Sequence, residues 1–230
     1  MKYYIKYVKI LLQIDICYKN RGDIMGNLVI TIGRQFGSGG RAIGKLVAEK
    51  LGISFYDKEL IDIAAKESGI NQEILSSYDE KPTNSFLYSL SLGAYSFENS
   101  VHGIPHIPVV DRVFAIQSQI IKDLAEKESC VIVGRCADYI LRDHERCLNV
   151  FVHAPLEMRI KRAKEVYNIN ESNMKSYIQK KDKARAGYHG MYAETEWGDA
   201  RSYDLSINSA IGNESVQRII IAAAKEKFGL

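Results

Sequence analysis

Nine residues, Gly33-Arg34-Gln35-Phe36-Gly37-Ser38-Gly39-Gly40-Arg41, separate the apolar run Leu28–Ile32 from the amphipathic stretch Ala42–Leu51. A loop of this kind, between a buried strand and a helix, turns successive backbone N–H groups and a helix N-terminus towards one point. That is the chemistry of a phosphate nest. Gly33, Gly37, Gly39 and Gly40 let the main chain approach an anion without an intervening Cβ, and Ser38 sits among them. A turn that merely reversed the chain would not need three glycines packed into so short a space. The segment is expected to bind the phosphates of a nucleotide.

The loop departs from the regular phosphate-loop pattern GxxxxGK[ST], in which a lysine follows the last glycine and reaches the outer phosphates. With Gly39 as that last glycine, Gly40 stands where the lysine belongs and Arg34 where the first glycine belongs. Arg41 comes one residue late, and Ala42 offers no hydroxyl to a magnesium ion. Guanidinium groups pair with phosphate in bidentate fashion, so Arg34 and Arg41 are the candidates to supply the missing charge. Arg41, on the first helical turn beside the nest, is expected to do so more than Arg34. A rival reading uses Gly37, Gly39 and Ala42 as GxGxx[GA], with Asp57 as the ribose-binding acid of a dinucleotide-binding (Rossmann) fold. The longer loop before the glycines argues against it.

Other charged residues fall where ligands of such a fold are held. Arg135 follows the apolar run Cys130–Val133 directly and can emerge at the carboxyl edge of a sheet. Asp57 ends a second short strand, where it either orients an acceptor or a magnesium-bound water, or caps the next helix. Residues 57–80 carry two Lys against seven Asp/Glu, and residues 157–190 nine Lys/Arg against four Asp/Glu. A basic run in a chain that opens with a glycine loop points to a cationic lid over phosphates. Arg159 and Arg162 share a helix face at i and i+3.

These residues need a scaffold, and the pattern after Met25 supplies one. Apolar strands alternate with helices: Leu28–Ile32, Ile53–Tyr56, Cys130–Val133, Leu148–His153 and Asp204–Ile207 as strands, with helices at Ala42–Leu51, Lys58–Ser68, 111–128, Pro155–Tyr167 and 214–227. The expected fold class is α/β, a parallel sheet flanked by helices. Residues 70–110, with three of the four prolines, read as a helical insertion with loops. The chain has 46% apolar and 26% charged residues, which excludes wholesale disorder. Its formal charge of +3 resides in residues 1–24, and the remainder balances at 26 against 26, so no basic face argues for a nucleic-acid polymer or a membrane. Cys17, Cys130, Cys136 and Cys147 form no CxxC or zinc spacing, which suits a reduced, cytoplasmic chain. No metal-ligand cluster is expected either. Residues 1–24 read as dispensable: Arg21-Gly22-Asp23 can be encoded AGA-GGT-GAT, a bacterial ribosome-binding sequence just before the Met25 codon, so translation is expected to start there. The other reading is an extra edge strand or helix with no catalytic part.

The segment Ile30–Ile61, with Cys130-Val131-Ile132-Val133-Gly134-Arg135-Cys136-Ala137-Asp138, Asp182-Lys183-Ala184-Arg185 and Tyr203-Asp204-Leu205-Ser206-Ile207-Asn208-Ser209, resembles the cytidylate-kinase-like family of nucleoside monophosphate kinases. The resemblance covers nearly all of residues 26–230. It implies a P-loop kinase core, an acceptor-binding insertion at about 57–110 and a mobile lid at about 157–195. It further implies ATP and Mg2+ as cofactors, and CMP or dCMP as the phosphoryl acceptor. The missing lysine is shared with this branch. Arg135 would hold the acceptor phosphate, and Arg185 matches the arginine of the lid's DxxR pattern. Arg185 and Arg162 are expected to close on the transferring group, with Arg159, Lys181 and Lys183 solvated. Asp111, Arg112 and Gln117 are candidates to touch the acceptor. Tyr188, Tyr192 and Trp197 are expected to pack lid against core rather than stack on a base. His102 and His106 read as loop residues, and the aromatic 86–97 stretch as either a homodimer surface or the insertion's own core. A catalytically weak nucleotide sensor on the same fold is the alternative function.

Overall fold

Val29–Arg34, Ser54–Tyr56, Cys130–Val133, Cys147–His153 and Leu205–Asn208 form strands β1 to β5 of one parallel sheet in the order β2-β3-β1-β4-β5. The computed structural model describes residues 26–69, 71–80 and 109–229. The 1–24 extension, the 86–97 stretch and His102 and His106 lie outside them. The described helices are α1 Gly40–Leu51, α2 Glu59–Ser68, α3 Gln72–Tyr78, α4 Val109–Lys127, α5 Ala137–Ile140, α6 Leu156–Glu165, α7 Met174–Tyr192 and α8 Asn213–Phe228.

The central strands are apolar at nearly every position because both faces are covered. Side chains alternate across the sheet. Ile30, Ile32, Val131, Val133, Val150 and Val152 pack with Ile43 and Val47 of α1 and with Val216 and Ile220 of α8. Val29, Cys130 and Ile132 face the other way, against Leu60 and Ala64 of α2, Ile120 and Ile121 of α4, and Ala137 of α5. Each such branched side chain stabilises the fold by about 1.5–3 kcal/mol. β1 runs two residues beyond the expected Ile32, because pairing with β4 continues to Arg34↔Val152.

The strand order sets aside the dinucleotide reading. A Rossmann sheet places β2 beside β1, whereas here β3 lies between them. That insertion also locates the crevice. β1 leads into α1 on one face and its neighbour β3 into α5 on the other, so the two chains diverge at their carboxyl ends. An open α/β sheet binds its ligands at such a switch point.

Candidate active site

The glycine loop bridges β1 and α1. Gly37 and Gly39 adopt the left-handed region (φ 78° and 86°), and Gly39 caps α1 with no side chain over its first turn. Ser38 is buried, and its Oγ has no hydrogen-bond partner. Its carbonyl accepts from Ser209 Oγ at 2.6 Å. The segment expected to be a lid, here α6 and α7, bonds to the outside of the loop. Arg162 Nη1 donates to Gly37 O at 2.9 Å, and Phe36 N donates to Asp182 Oδ1 at 2.7 Å. Arg159 is paired with Asp182 and buried, contrary to its expected solvation: its stem lies under Gly37 and its guanidinium also reaches Phe36 O. Lys181 and Lys183 are exposed, as expected.

The two loop arginines are placed otherwise than expected. Arg34 folds across the loop so closely that a Cβ on Gly40 would come within 2.6 Å of Arg34 Cβ. The lysine of a regular phosphate loop therefore has no room here, and Arg34 fills the space. Its guanidinium, 12% exposed, donates Nη1 and Nη2 to Glu80 Oε1 and Oε2 at 2.5 and 3.0 Å. Arg41 points outwards, 58% exposed, and its Nε donates to Asp57 Oδ2 at 2.5 Å. The expectation that Arg41 more than Arg34 stands beside the nest does not match this placement. The Arg41 guanidinium is held at the rim by Asp57, while that of Arg34 enters the crevice.

The turn leaving β3 is the second half of the site. Gly134, Arg135 and Cys136 all have positive φ (78°, 55° and 56°), and the two non-glycine residues carry backbone strain of the kind that collects at functional sites. The turn aims the Arg135 side chain, 2% exposed, at Asp79 Oδ2 (2.8 Å) and Asp57 Oδ1 (3.5 Å). Arg135 N donates to Glu80 Oε1 at 3.0 Å. Gln117 is buried as a partner of this cluster, donating to Asp79 Oδ1 at 3.2 Å and accepting from Tyr188 Oη at 3.3 Å. Arg112 is exposed on α4, and nothing among the described residues joins it to the cluster.

From the lid, Arg185 completes the convergence: Nε lies 3.3 Å from Glu80 Oε2, and Nη1 donates to Arg34 O at 3.3 Å. Burial alone would raise the Glu80 pKa, but Arg34 and Arg185 outweigh it and hold the carboxyl well below the usual range. Burial prevails at Asp79 and pushes its carboxyl up, against Arg135. Burial, with the neighbouring Arg34 charge, lowers the pKa of Arg185. Asp79 and Glu80 escaped the sequence reading; the acidic run 57–80 was their only signal. The buried pair His189 Nε2–Asp138 Oδ2 (2.9 Å) lines the same cleft. Tyr188 and Tyr192 pack on Phe114, and Trp197 packs edge-on to Phe151, so the aromatic residues join lid to core.

An open groove of about 490 Å3 lies on the loop's other side, lined by Met158, Arg162, Ser209, Gly212 and Asn213 among others. Arg162 Nη2 reaches Asn213 Oδ1 at 3.4 Å, so one side chain touches both loop and groove. Residues 29–211 match the model of the cytidylate kinase-like family. The chain belongs to that family. It is 28% identical over 207 residues to a cytidylate kinase of Methanococcus aeolicus, covering 87% of this chain and 99% of the relative. A solved structure of an uncharacterized protein from Eubacterium ventriosum is similar with a TM-score of 0.64 and 29% identity, over 86% of this chain and 99% of that one. A gluconokinase from Sinorhizobium meliloti shares the fold at 15% identity and a TM-score of 0.50, over 90% of this chain and 96% of its own. This family member thus has the parallel sheet and glycine loop of a P-loop kinase. None of its described helices is long and apolar enough to cross a membrane.

Proposed function

We propose that this member of the cytidylate kinase-like family transfers the terminal phosphoryl group of ATP to a nucleoside monophosphate, CMP or dCMP. The observation that carries the reading is the convergence of Arg34, Arg135 and Arg185 on one cleft from the loop, the β3 turn and the lid. Phosphoryl transfer asks chiefly for positioning and charge neutralisation, and three elements that bring guanidinium groups together supply both. The loop N–H groups and Arg162 receive the donor phosphates, and the groove at Met158 and Asn213 takes the donor's base. Arg135, fixed by Asp57, holds the acceptor phosphate. An oxygen of that phosphate attacks the terminal phosphorus, the bond to the bridging oxygen breaks, and ADP leaves. Arg34 and Arg185 offset the charge that develops. Magnesium, carried in on the nucleotide, needs only one or two protein oxygens. The unpartnered Ser38 Oγ and the Asp57 carboxylate are the oxygens beside the loop that would meet it.

A coupled ADP-release assay over the common nucleoside monophosphates tests the proposal. CMP or dCMP should raise turnover well above the background ATPase rate, and a flat response across the whole panel would remove it. The sensor reading gains from the lysine's absence at Gly40; tight nucleotide binding without transfer in that assay selects it.

A further inference from the structure

The arginines that converge on the cleft do not point into open space. Arg34 Nη1 and Nη2, Arg185 Nε and Arg135 N all meet the two carboxylate oxygens of Glu80. With Glu80 in place, the cleft keeps about 20 Å3 of water-sized space, room for one water and no more. A phosphoryl group cannot enter unless the carboxylate leaves. Two further details show how closely the cradle holds this occupant. Glu80 has positive φ (50°) without being glycine, a conformation that costs on the order of 1–3 kcal/mol. Gly134, at φ 78°, lies directly beneath it: a Cβ there would come within 2.0 Å of Glu80 Oε1 and 2.1 Å of Arg34 Nη1, so both side chains would have to shift.

We propose that Glu80 is an internal stand-in for a phosphoryl group: its carboxylate plugs the anion cradle of Arg34, Arg135 and Arg185 until a phosphate displaces it. The inference rests on reading this cleft as the transfer site. Carboxylate and phosphate both accept charge-assisted, bidentate bonds from guanidinium, so one can replace the other without moving the arginines far. The plug serves two ends. It keeps the guanidinium groups of Arg34 and Arg185 compensated while the cleft is empty, and it lets the cleft open only to a ligand that competes for the same donors. Asp79 sits next to it on Arg135 and Gln117, so release of Glu80 and access to the Arg135 guanidinium are coupled through one peptide unit. A site that is free only when unplugged shows an affinity reduced by the unplugged fraction.

Isothermal titration of the full chain with inorganic phosphate tests this without a nucleotide. Glu80→Gln should bind phosphate at least ~10-fold more tightly than the unaltered protein, as expected if the plug is seated about nine-tenths of the time or more. Equal or weaker binding by folded Glu80→Gln overturns the proposal and leaves Glu80 as a brace that positions arginines. Removing the charge also leaves the Arg34 and Arg185 guanidinium groups without the carboxylate between them, so Glu80→Asp provides the second arm. Its shorter carboxylate cannot meet all four donors, and saturating phosphate should raise its Tm more than that of the unaltered protein. Equal rises count against the plug. If the monophosphate panel fails while phosphate still binds the variants more tightly, the substrate reading is lost and the plug stands.

Discussion

The loop after β1 and the turn after β3 leave neighbouring strands, yet they hold charge by different means. The loop works through backbone dipoles: glycine-permitted φ values at Gly37 and Gly39, a bare helix start, and lid side chains bonded to its carbonyls and N–H groups. The turn works through full charges, with buried Arg135 between Asp57 and Asp79, and Glu80 between Arg34 and Arg185. Backbone dipoles need no counterion and can wait empty. Buried guanidinium groups cannot, because uncompensated charge in a low-dielectric interior costs several kcal/mol. The difference explains why Asp57, Asp79 and Glu80 gather on the guanidinium groups.

The largest effect is expected at Arg135. Replacing it by Ala leaves Asp79 without its guanidinium partner and takes Arg135 from Asp57, which keeps only the rim contact to Arg41. Losing one partner of a buried pair is expected to cost about 3–5 kcal/mol, read as a fall in ΔG of unfolding in urea. No change in stability would mean that the charges are solvated. Arg34 comes next. If it substitutes for the missing lysine, Arg34→Ala should lower turnover ~100-fold or more, equivalent to about 3 kcal/mol of transition-state stabilisation. The chain should still fold, since Arg185 and the Arg135 N–H still hold Glu80.

Most of the sheet and the position of the glycine loop were legible in the sequence, because strands and glycine spacing are written over a few consecutive residues. Cys130–Val133 matches its expected bounds, whereas the loop expected over Gly33 to Arg41 is shorter, since β1 runs to Arg34 and α1 starts at Gly40. The acidic half was not legible. Glu80 lies 46 residues from Arg34 and 55 from Arg135, and no local spacing announces a pairing over such intervals. The lid helix α7 was equally hidden: of its 19 residues only Met174, Ile178, Tyr188 and His189 are buried, so it carries little apolar periodicity. Arg41 misled for a related reason. Its place on the first helical turn is a fact of sequence, but the direction of its side chain is set by Asp57 at the end of β2.

The pH dependence separates the two halves more gently. The carboxyl of Glu80 is held below its unfolded value of about 4.3, so its stabilisation is complete above that pH and is lost as pH falls towards the folded value. Asp79 runs the opposite way: its raised carboxyl takes up a proton more readily in the folded chain, which favours folding on acidification. Glu80→Gln should therefore flatten the loss of Tm below about pH 4, while the loop, which has no carboxyl of its own, contributes nothing to that slope. An unchanged acid limb in the variant would place the titrating group elsewhere.

The smallest effect is expected at Arg41, and it sharpens the contrast from the loop's side. The guanidinium is more than half exposed and pairs at the rim with Asp57, whose carboxylate also faces Arg135. Solvent screens such a contact, so Arg41→Ala should change stability by less than about 1 kcal/mol. If Arg34, which lies across Gly40, supplies the charge next to the transferring group, turnover should stay within a few-fold of the unaltered protein. Measuring kcat and KM for Arg41→Ala and Arg34→Ala side by side decides the matter. A collapse of kcat in Arg41→Ala with normal turnover in Arg34→Ala would show that Arg41 leaves Asp57 and swings over the loop once nucleotide is bound, and the lysine's role would then pass to it.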